Sequence, residues 1–293
     1  MTQLSLRQLE LFRAVMRQGT LTAAAQSLGI TQPAASRLLR HAEDLLGTPL
    51  FHRQSGRLRA TVEARALYRE VDRIFNGVDY VQKVAADLHR LRAGRLHLAA
   101  IPSLAMTHAA RASERFMRAH PTVTIIISSL LNHEVADMVL DGRADLGLCF
   151  LPLPNRELTI ELLGETELIA VLPPDHPLCA LDELTPLDLQ SVPLISFSGS
   201  MPIGQRIETA FAAAGVVSPM AVEVSSTFVA CAFVQAGTGV ALVDRLAADC
   251  GAFPLLEKRL VVPRLGISTA LVTVPGQKPS RIAADFMAEL RAN

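Results

Sequence analysis

The sequence predicts an α/β chain in three parts: a winged helix-turn-helix over residues 1–61, a connecting helix over 62–92 and a two-lobed α/β domain over 93–293. Three observations lead there. The first sixty residues are basic and carry helix-period apolar spacing, the next thirty keep a strict heptad, and the last two hundred alternate short apolar runs with helical stretches. The chain has 293 residues, half of them apolar, with 28 basic side chains against 28 acidic. That is core enough for two domains and too little net charge for disorder. The zero balance conceals a division. Residues 1–60 hold eight arginines against Glu10, Glu43 and Asp44, whereas residues 93–293 hold 14 basic and 20 acidic side chains. A polyanion-binding head on a body that binds something else is charged in this way.

Ser5 to Gln18 reads as an amphipathic helix, with Leu6, Leu9, Phe12 and Val15 on one face and Ser5 as N-cap. Gly19 ends it. Thr20 caps a second helix whose inner face is Leu21, Ala24, Ala25 and Leu28. After the turn Gly29-Ile30-Thr31, a third helix runs from Gln32 to Leu46, with Thr31 as N-cap and Pro33 in the first turn, where a missing N–H costs nothing. Ala35, Leu38, Leu39 and Ala42 face inward, leaving Gln32, Ser36, Arg37 and Arg40 outside. Two helices brought close by alanines, a glycine turn and a free face of Gln, Ser and Arg make a helix-turn-helix over about 21–40. Gln and Arg can bond bidentately to adenine and guanine edges in the major groove. Two extended runs about Ser55-Gly56 read as a β-hairpin wing whose Arg53, Arg57 and Arg59 suit phosphate. On pattern alone, a small helical domain with a solvated basic face is the competing reading.

The motifs favour the first. Leu9-Glu10-Leu11-Phe12, Leu21-Thr22-Ala23-Ala24-Ala25-Gln26-Ser27-Leu28, Thr31-Gln32-Pro33-Ala34-Ala35-Ser36, Leu45-Leu46-Gly47-Thr48-Pro49-Leu50-Phe51, and Arg53 with Thr61 resemble the signature of LysR-type transcriptional regulators. The resemblance implies a winged helix-turn-helix that binds double-stranded DNA, a long dimerising helix and a two-lobed, periplasmic-binding-protein-like effector domain. By motif position it implies that Thr31, Gln32, Pro33, Ser36, Arg37 and Arg40 lie on the recognition helix, and Arg53 and Arg57 in the wing.

From Thr61 to Arg92 there is no proline, and apolar residues fall at Leu67, Val71, Ile74, Val78, Val81, Ala85 and Leu88. Steps alternating between four and three make a heptad seam. Such a helix spans roughly 45 Å, too long for the head alone to cover. It needs a partner: a second copy of itself, or else its own effector domain. The resemblance implies the homodimer, paired again into a homotetramer through the effector lobes and acting on RNA polymerase.

Beyond residue 93 the runs Leu96–Ala100, Val123–Ser128 and Leu146–Phe150 alternate with helical stretches Leu104–Ala119 and Glu134–Leu140. Glu167–Leu172 opens a second set: Pro193–Phe197, Ile203–Ala214, Met220–Val224, Phe228–Gln235 and Val240–Val243. Ile267–Val274 and Ile282–Leu290 close the chain. This order predicts a mostly parallel, doubly wound sheet in two lobes, 93–165 with 268–293 and 166–267, joined by strands crossing near 165 and 267. Ligands of such folds sit between the lobes, at the carboxyl ends of strands. Those junctions are rich in hydroxyls: Ser103 and Thr107, Ser128 with Asn132, Ser196, Ser198 and Ser200, and Ser225-Ser226-Thr227. Hydroxyls and helix N-termini make a carboxylate or phosphate site, although each residue singly is also an ordinary N-cap. With Phe150 at the end of its strand, these are the candidate effector contacts: Ser103, Thr107, Ser128, Asn132, Phe150, Ser196, Ser198, Ser200 and Thr227. The runs Ala99-Ala100-Ile101-Pro102 and Leu172-Pro173-Pro174-Asp175-His176-Pro177-Leu178 resemble the branch containing the family's name-giving member and the opine-sensing regulators, which implies an amino-acid-like or opine-like effector. Asp244 departs from the resemblance, standing where many members place a proline.

An enzyme on the α/β lobes, or a two-lobed binding protein with no DNA role, are the alternatives. No G-x-G-x-x-G follows the first strand, and neither a P-loop, a G-x-S-x-G elbow nor an H-E-x-x-H is present. His133-Glu134 beside Asp137 reads as a solvated helix face. Cys149, Cys179, Cys231 and Cys250 are widely spaced, so no metal site, disulfide framework or redox pair is expected. Neither a metal nor another cofactor is expected. The N-terminus has no secretory pattern and no apolar run is long enough to cross a bilayer, so the expectation is a cytoplasmic chain without a membrane partner.

Overall fold

The computed structural model describes residues 4–54, 57–89, 94–153 and 157–292, and for residues 53, 54, 57, 73, 76 and 79–89 the backbone alone. The chain forms two compact units, Met1–Ala86 and Asp87–Asn293.

The first unit holds α1 (Leu6–Gln18), α2 (Leu21–Ser27), α3 (Gln32–Leu46), β1 (Phe51–Gln54), β2 (Arg57–Ala60) and the greater part of α4 (Val62–His89). Ser5 and Gln8 close a capping box on α1, and the Thr20 hydroxyl accepts from Ala23 N–H at the start of α2. Gly19 ends α1 at φ +71°, a conformation that costs glycine little. Ala24 and Ala35 are wholly buried, which lets α2 and α3 approach, and Phe12, Leu11, Val15 and Leu50 fill the space beneath them. β1 and β2 pair antiparallel from Phe51↔Ala60 to Gln54↔Arg57. Thr31 occupies the N-cap of α3 but makes no side-chain cap bond. With Pro33 at the second helical position, one of its two usual N–H targets is missing.

The heptad seam of α4 does two jobs. Leu67 and Val71 pack into the head's own core with Tyr68 and Phe75. Arg13 Nε and Arg17 Nη2 donate to Asp72 Oδ1 at 2.7 and 2.9 Å, and the Arg13 guanidinium sits 5.3 Å from the Phe75 ring centre. Only from Ile74 and Val78, which are 51% and 42% exposed, does the seam face outward. The side chains of Val81, Ala85 and Leu88, and the whole of Arg92, lie outside the described residues.

The second unit continues with β3 (Arg95–Ala100), α5 (Pro102–Leu104), a π-helical turn (Ala105–Ala109), α6 (Ala110–Ala119), β4 (Thr124–Ser129), α7 (Asn132–Leu140) and β5 (Leu146–Phe150). Then come β6 (Thr159–Leu172), β7 (Glu183–Leu184), α8 (Pro186–Leu189), β8 (Leu194–Phe197), α9 (Pro202–Ala213), β9 (Met220–Val224) and α10 (Thr227–Gln235). β10 (Val240–Asp244), α11 (Arg245–Ala248), β11 (Glu257–Val261), β12 (Leu265–Thr273) and α12 (Arg281–Arg291) complete it.

The sheet order is β4-β3-β5-β12-β6-β10-β8-β9. β3 pairs parallel with β4 and β5 in one lobe, and β8 parallel with β9 and β10 in the other. β6 and β12 run antiparallel to each other and to their neighbours and carry the chain between the lobes. The parallel lobes agree with the sequence; the crossing strands differ. β6 starts at Thr159 rather than Glu167, because its first half, Thr159-Ile160-Glu161-Leu162-Leu163-Gly164, alternates polar residues as an exposed ladder against β12. β11 was absent from the predicted order, since Glu257-Lys258-Arg259 masks a short strand held on β6 by its backbone.

Candidate functional site

In the first unit the exposed face of α3 gathers Thr31, Gln32, Pro33, Arg37 and Arg40, with Ser36 half-buried beside them. Arg37 and Arg40 engage no other described residue. The other arginines of α1 are committed: Arg7 pairs with Glu10 at 2.7 Å, and Arg13 and Arg17 hold Asp72. The guanidinium groups left open to an outside anion therefore include Arg37 and Arg40 on α3, and the hairpin adds further positive charge. Arg59 is exposed there. Arg53 and Arg57 lie on the paired strands β1 and β2, and their side chains lie outside the described ones.

In the second unit a cleft opens between the lobes at the carboxyl ends of the parallel strands. Its wide part, about 930 Å³, is walled by Asn132 and His133 on one lobe and by Ser198, Ser200, Gln205 and Glu223 on the other. Beneath it lies a recess of about 30 Å³ lined by Ser103, Asn132, Phe150, Phe197 and Thr227. The first turns of α7, α9 and α10 converge here, and their N-caps Leu131, Met201 and Ser226 supply no side-chain cap bond. Gly204, in the first turn of α9, lies so close to the preceding loop that a Cβ would collide with the Ser198 carbonyl oxygen.

Asp244 organises the recess from below. It is wholly buried; its Oδ2 accepts from the Ser103 hydroxyl at 2.7 Å and the Thr227 hydroxyl at 2.8 Å, and its Oδ1 from Ala247 N–H at 2.9 Å. Burial pushes its carboxyl above the ordinary value, while the Ser103, Ala247 and Thr227 donors pull it back. Asn132 is fixed as well: its Nδ2 donates to the Phe150 carbonyl and its Oδ1 accepts from Phe150 N–H, both at 2.9 Å.

Six of the nine predicted effector contacts therefore line one cleft: Ser103, Asn132, Phe150, Ser198, Ser200 and Thr227. Three stand elsewhere. Thr107 donates to the Ser103 carbonyl at 2.6 Å and faces a separate cavity, because the π turn rotates it away from the cleft. Ser128 is engaged by His97 Nε2 at 2.9 Å on the neighbouring strand. Ser196 is buried on β8, and strand alternation sets it on the face opposite Phe197, which lines the recess. Asp244 is the residue at the base of the recess that sequence reasoning noted without a role. An isolated acid directly after Val240-Ala241-Leu242-Val243 was the available signal.

Residues 6–65 match the family of bacterial regulatory helix-turn-helix proteins of the lysR type, and residues 89–293 match the LysR substrate-binding domain. The chain belongs to the LysR family. Regulatory protein NocR of Agrobacterium fabrum (strain C58 / ATCC 33970) is 33% identical over 97% of this chain and 95% of its own. The octopine catabolism/uptake operon regulatory protein OccR of Rhizobium meliloti is 34% identical over 84% of this chain and 81% of its own. The crystal structure of full-length CbnR complexed with its target DNA shares the fold, with a TM-score of 0.71 at 21% identity over 98% of this chain and 99% of that one.

As a LysR-family member the chain is a DNA-binding transcriptional regulator with an effector-binding domain, and not an enzyme. No helix among the described residues is long and apolar enough to cross a membrane. Cys149 and Cys231 are buried, and burial pushes both thiols up to about 12, so neither forms a reactive thiolate. The separate cavity that Thr107 faces, about 430 Å³, lies beside the crossing strands. There Glu167 pairs with both Arg245 (2.8 Å) and Arg264 (2.5 Å), tying β6 to α11 and to the start of β12.

Proposed function

We propose that α3 reads an operator in the major groove and that a small carboxylate or amino-acid-like effector, bound between the lobes, modulates that binding in the cytoplasm. The concentration of free arginine on the α3 face carries the first half. Gln32, Ser36, Arg37 and Arg40 serve as base and phosphate contacts, while Thr31, with its uncapped hydroxyl, and Pro33 hold the helix N-terminus against phosphate. Arg53 and Arg57 clamp the flanking backbone. In the cleft, Asn132, Ser198 and Ser200 orient the effector over Phe150, Ser103 and Thr227, and the converging helix N-termini receive its carboxylate. The outward part of the α4 seam, from Ile74, pairs with a second copy. Two dimers then assemble into a tetramer whose bending of DNA governs access of RNA polymerase.

The test is selection of duplex DNA from a random pool by the full chain, followed by titration of the enriched sequence against salt. A sequence-specific complex whose affinity falls steeply with salt is expected, because phosphate contacts release counterions. A monomeric protein that enriches no sequence overturns the proposal.

A further inference from the structure

We propose that the recess beneath the cleft is an ammonium pocket, in which Ser103 and Thr227 accept hydrogen bonds from a protonated nitrogen of the effector. The inference rests on the reading of the cleft as the effector site and says which end of the effector goes down.

Each of the two hydroxyls has one proton, and each proton is given to Asp244 Oδ2. What they turn towards the recess is therefore lone pairs. A carboxylate arriving at these two hydroxyls meets acceptors, with a buried carboxylate directly behind them. An ammonium nitrogen meets two oxygens made more basic by that carboxylate.

Asp244 itself occupies the place expected for the effector's anion. The helical run beginning at Pro102 presents Ser103, α10 presents Thr227, and Asp244 is the N-cap of α11. Two side-chain hydroxyls and the Ala247 N–H at the start of α11 donate to Asp244, which is how a charge without an ion-pair partner among the described residues is sustained.

Size points the same way. A recess of about 30 Å³ takes a small group such as an ammonium, and a dimethylated nitrogen, with a single N–H left, cannot donate to both hydroxyls. Among the described residues the walls of the cleft carry no lysine or arginine, while Glu223 adds a second carboxylate above. The effector's own carboxylate is left to the first turns of α7 and α9.

The experiment measures binding to the full chain of α-amino acids, their α-hydroxy analogues and their N,N-dimethyl derivatives, by calorimetry at one pH. At least one amino acid is expected to bind about ten-fold or more tightly than both of its analogues, a difference of about 1.4 kcal/mol. In Asp244→Asn that preference shrinks towards unity while the hydroxy acid still binds. Should this variant fail to fold, Thr227→Val, which removes one acceptor and keeps the volume, carries the same expectation. Hydroxy or dimethylated acids binding the wild type as tightly as the amino acid overturn the ammonium pocket and leave the effector cleft standing. No binding by any of the three classes removes both.

Discussion

The outer face of α3 and the floor of the interlobe cleft are both polar surfaces in a half-apolar chain, and they are built in opposite ways. On α3 the arginines are exposed and unengaged: Arg37 and Arg40 make no hydrogen bond or ion pair with another described residue. On the cleft floor Ser103, Thr227 and Asn132 are buried and each is bonded to the fold. A duplex brings its own charge and hydration to the first surface, so the helix need only display its groups. A small ligand enclosed between lobes leaves no water to satisfy what it does not reach, so the second surface must be satisfied in advance. The difference separates binding from stability. Substitutions on α3 change affinity with little effect on folding, and substitutions on the floor change folding first.

The largest effect expected is that of Asp244→Ala. It strands the Ser103 and Thr227 hydroxyls and the Ala247 N–H in a buried site, at a cost of about 3 kcal/mol in denaturant unfolding. An unfolding free energy equal to that of the wild type would show that water already serves these donors, and the contrast with α3 would fail. Next, Arg37→Ala and Arg40→Ala should each weaken operator binding by about 1–3 kcal/mol where they reach bases. Their unfolding curves should shift by no more than about 0.5 kcal/mol, as exposed sites do. A loss of stability as large as the loss of affinity would mean that the face is part of the fold after all.

Gly204→Ala sharpens the comparison from the cleft wall rather than its floor. The added methyl meets the Ser198 carbonyl, so the loop bearing Ser198 and Ser200 must shift. Overpacking of this sort costs about 1–3 kcal/mol. Effector response should be lost while DNA binding in the absence of effector persists, as read by a titration with and without the amino acid that binds the wild type.

How much of each surface could be read in the sequence follows from the same difference. The boundaries of α3, its buried alanines and its outward Gln and Arg all depend on neighbours within one turn, and the sequence places them at Gln32 to Leu46 as found. The seam of α4 was legible as a period, but that Leu67 and Val71 belong to the head depends on tertiary contact with α1. In the cleft the decisive partners are remote: Ser103 bonds a residue 141 positions on, and Asn132 one 18 positions on. Hydroxyls at strand ends announced a polar site, yet Thr107, Ser128 and Ser196 carry the same local signal and end elsewhere. Their fate is set by a π turn, a histidine on the next strand and the parity of β8.

The smallest effect tests whether exposure alone marks a side chain as dispensable to the fold. Glu161 on β6 receives two hydrogen bonds from Arg291 of α12, at 2.6 and 2.8 Å, although both side chains are more than a third exposed. The hydrogen bond from Arg291 holds the Glu161 carboxyl below the ordinary glutamate value, against a small opposing effect of burial. The folded chain thus keeps this carboxylate ionised at a pH where the unfolded chain has taken up the proton. Its stabilisation is present in full above the ordinary glutamate range and is lost as the pH falls through the lowered value. Solvent screening limits it to a few tenths of a kcal/mol. Glu161→Gln should therefore lower the melting temperature slightly at pH 7 and progressively less as the pH falls below the ordinary glutamate range, by about the amount an exposed pair contributes. A deficit that persists unchanged into acid would assign the contribution to packing of the Arg291 stem instead, and would place this exposed pair with the cleft floor rather than with the face of α3.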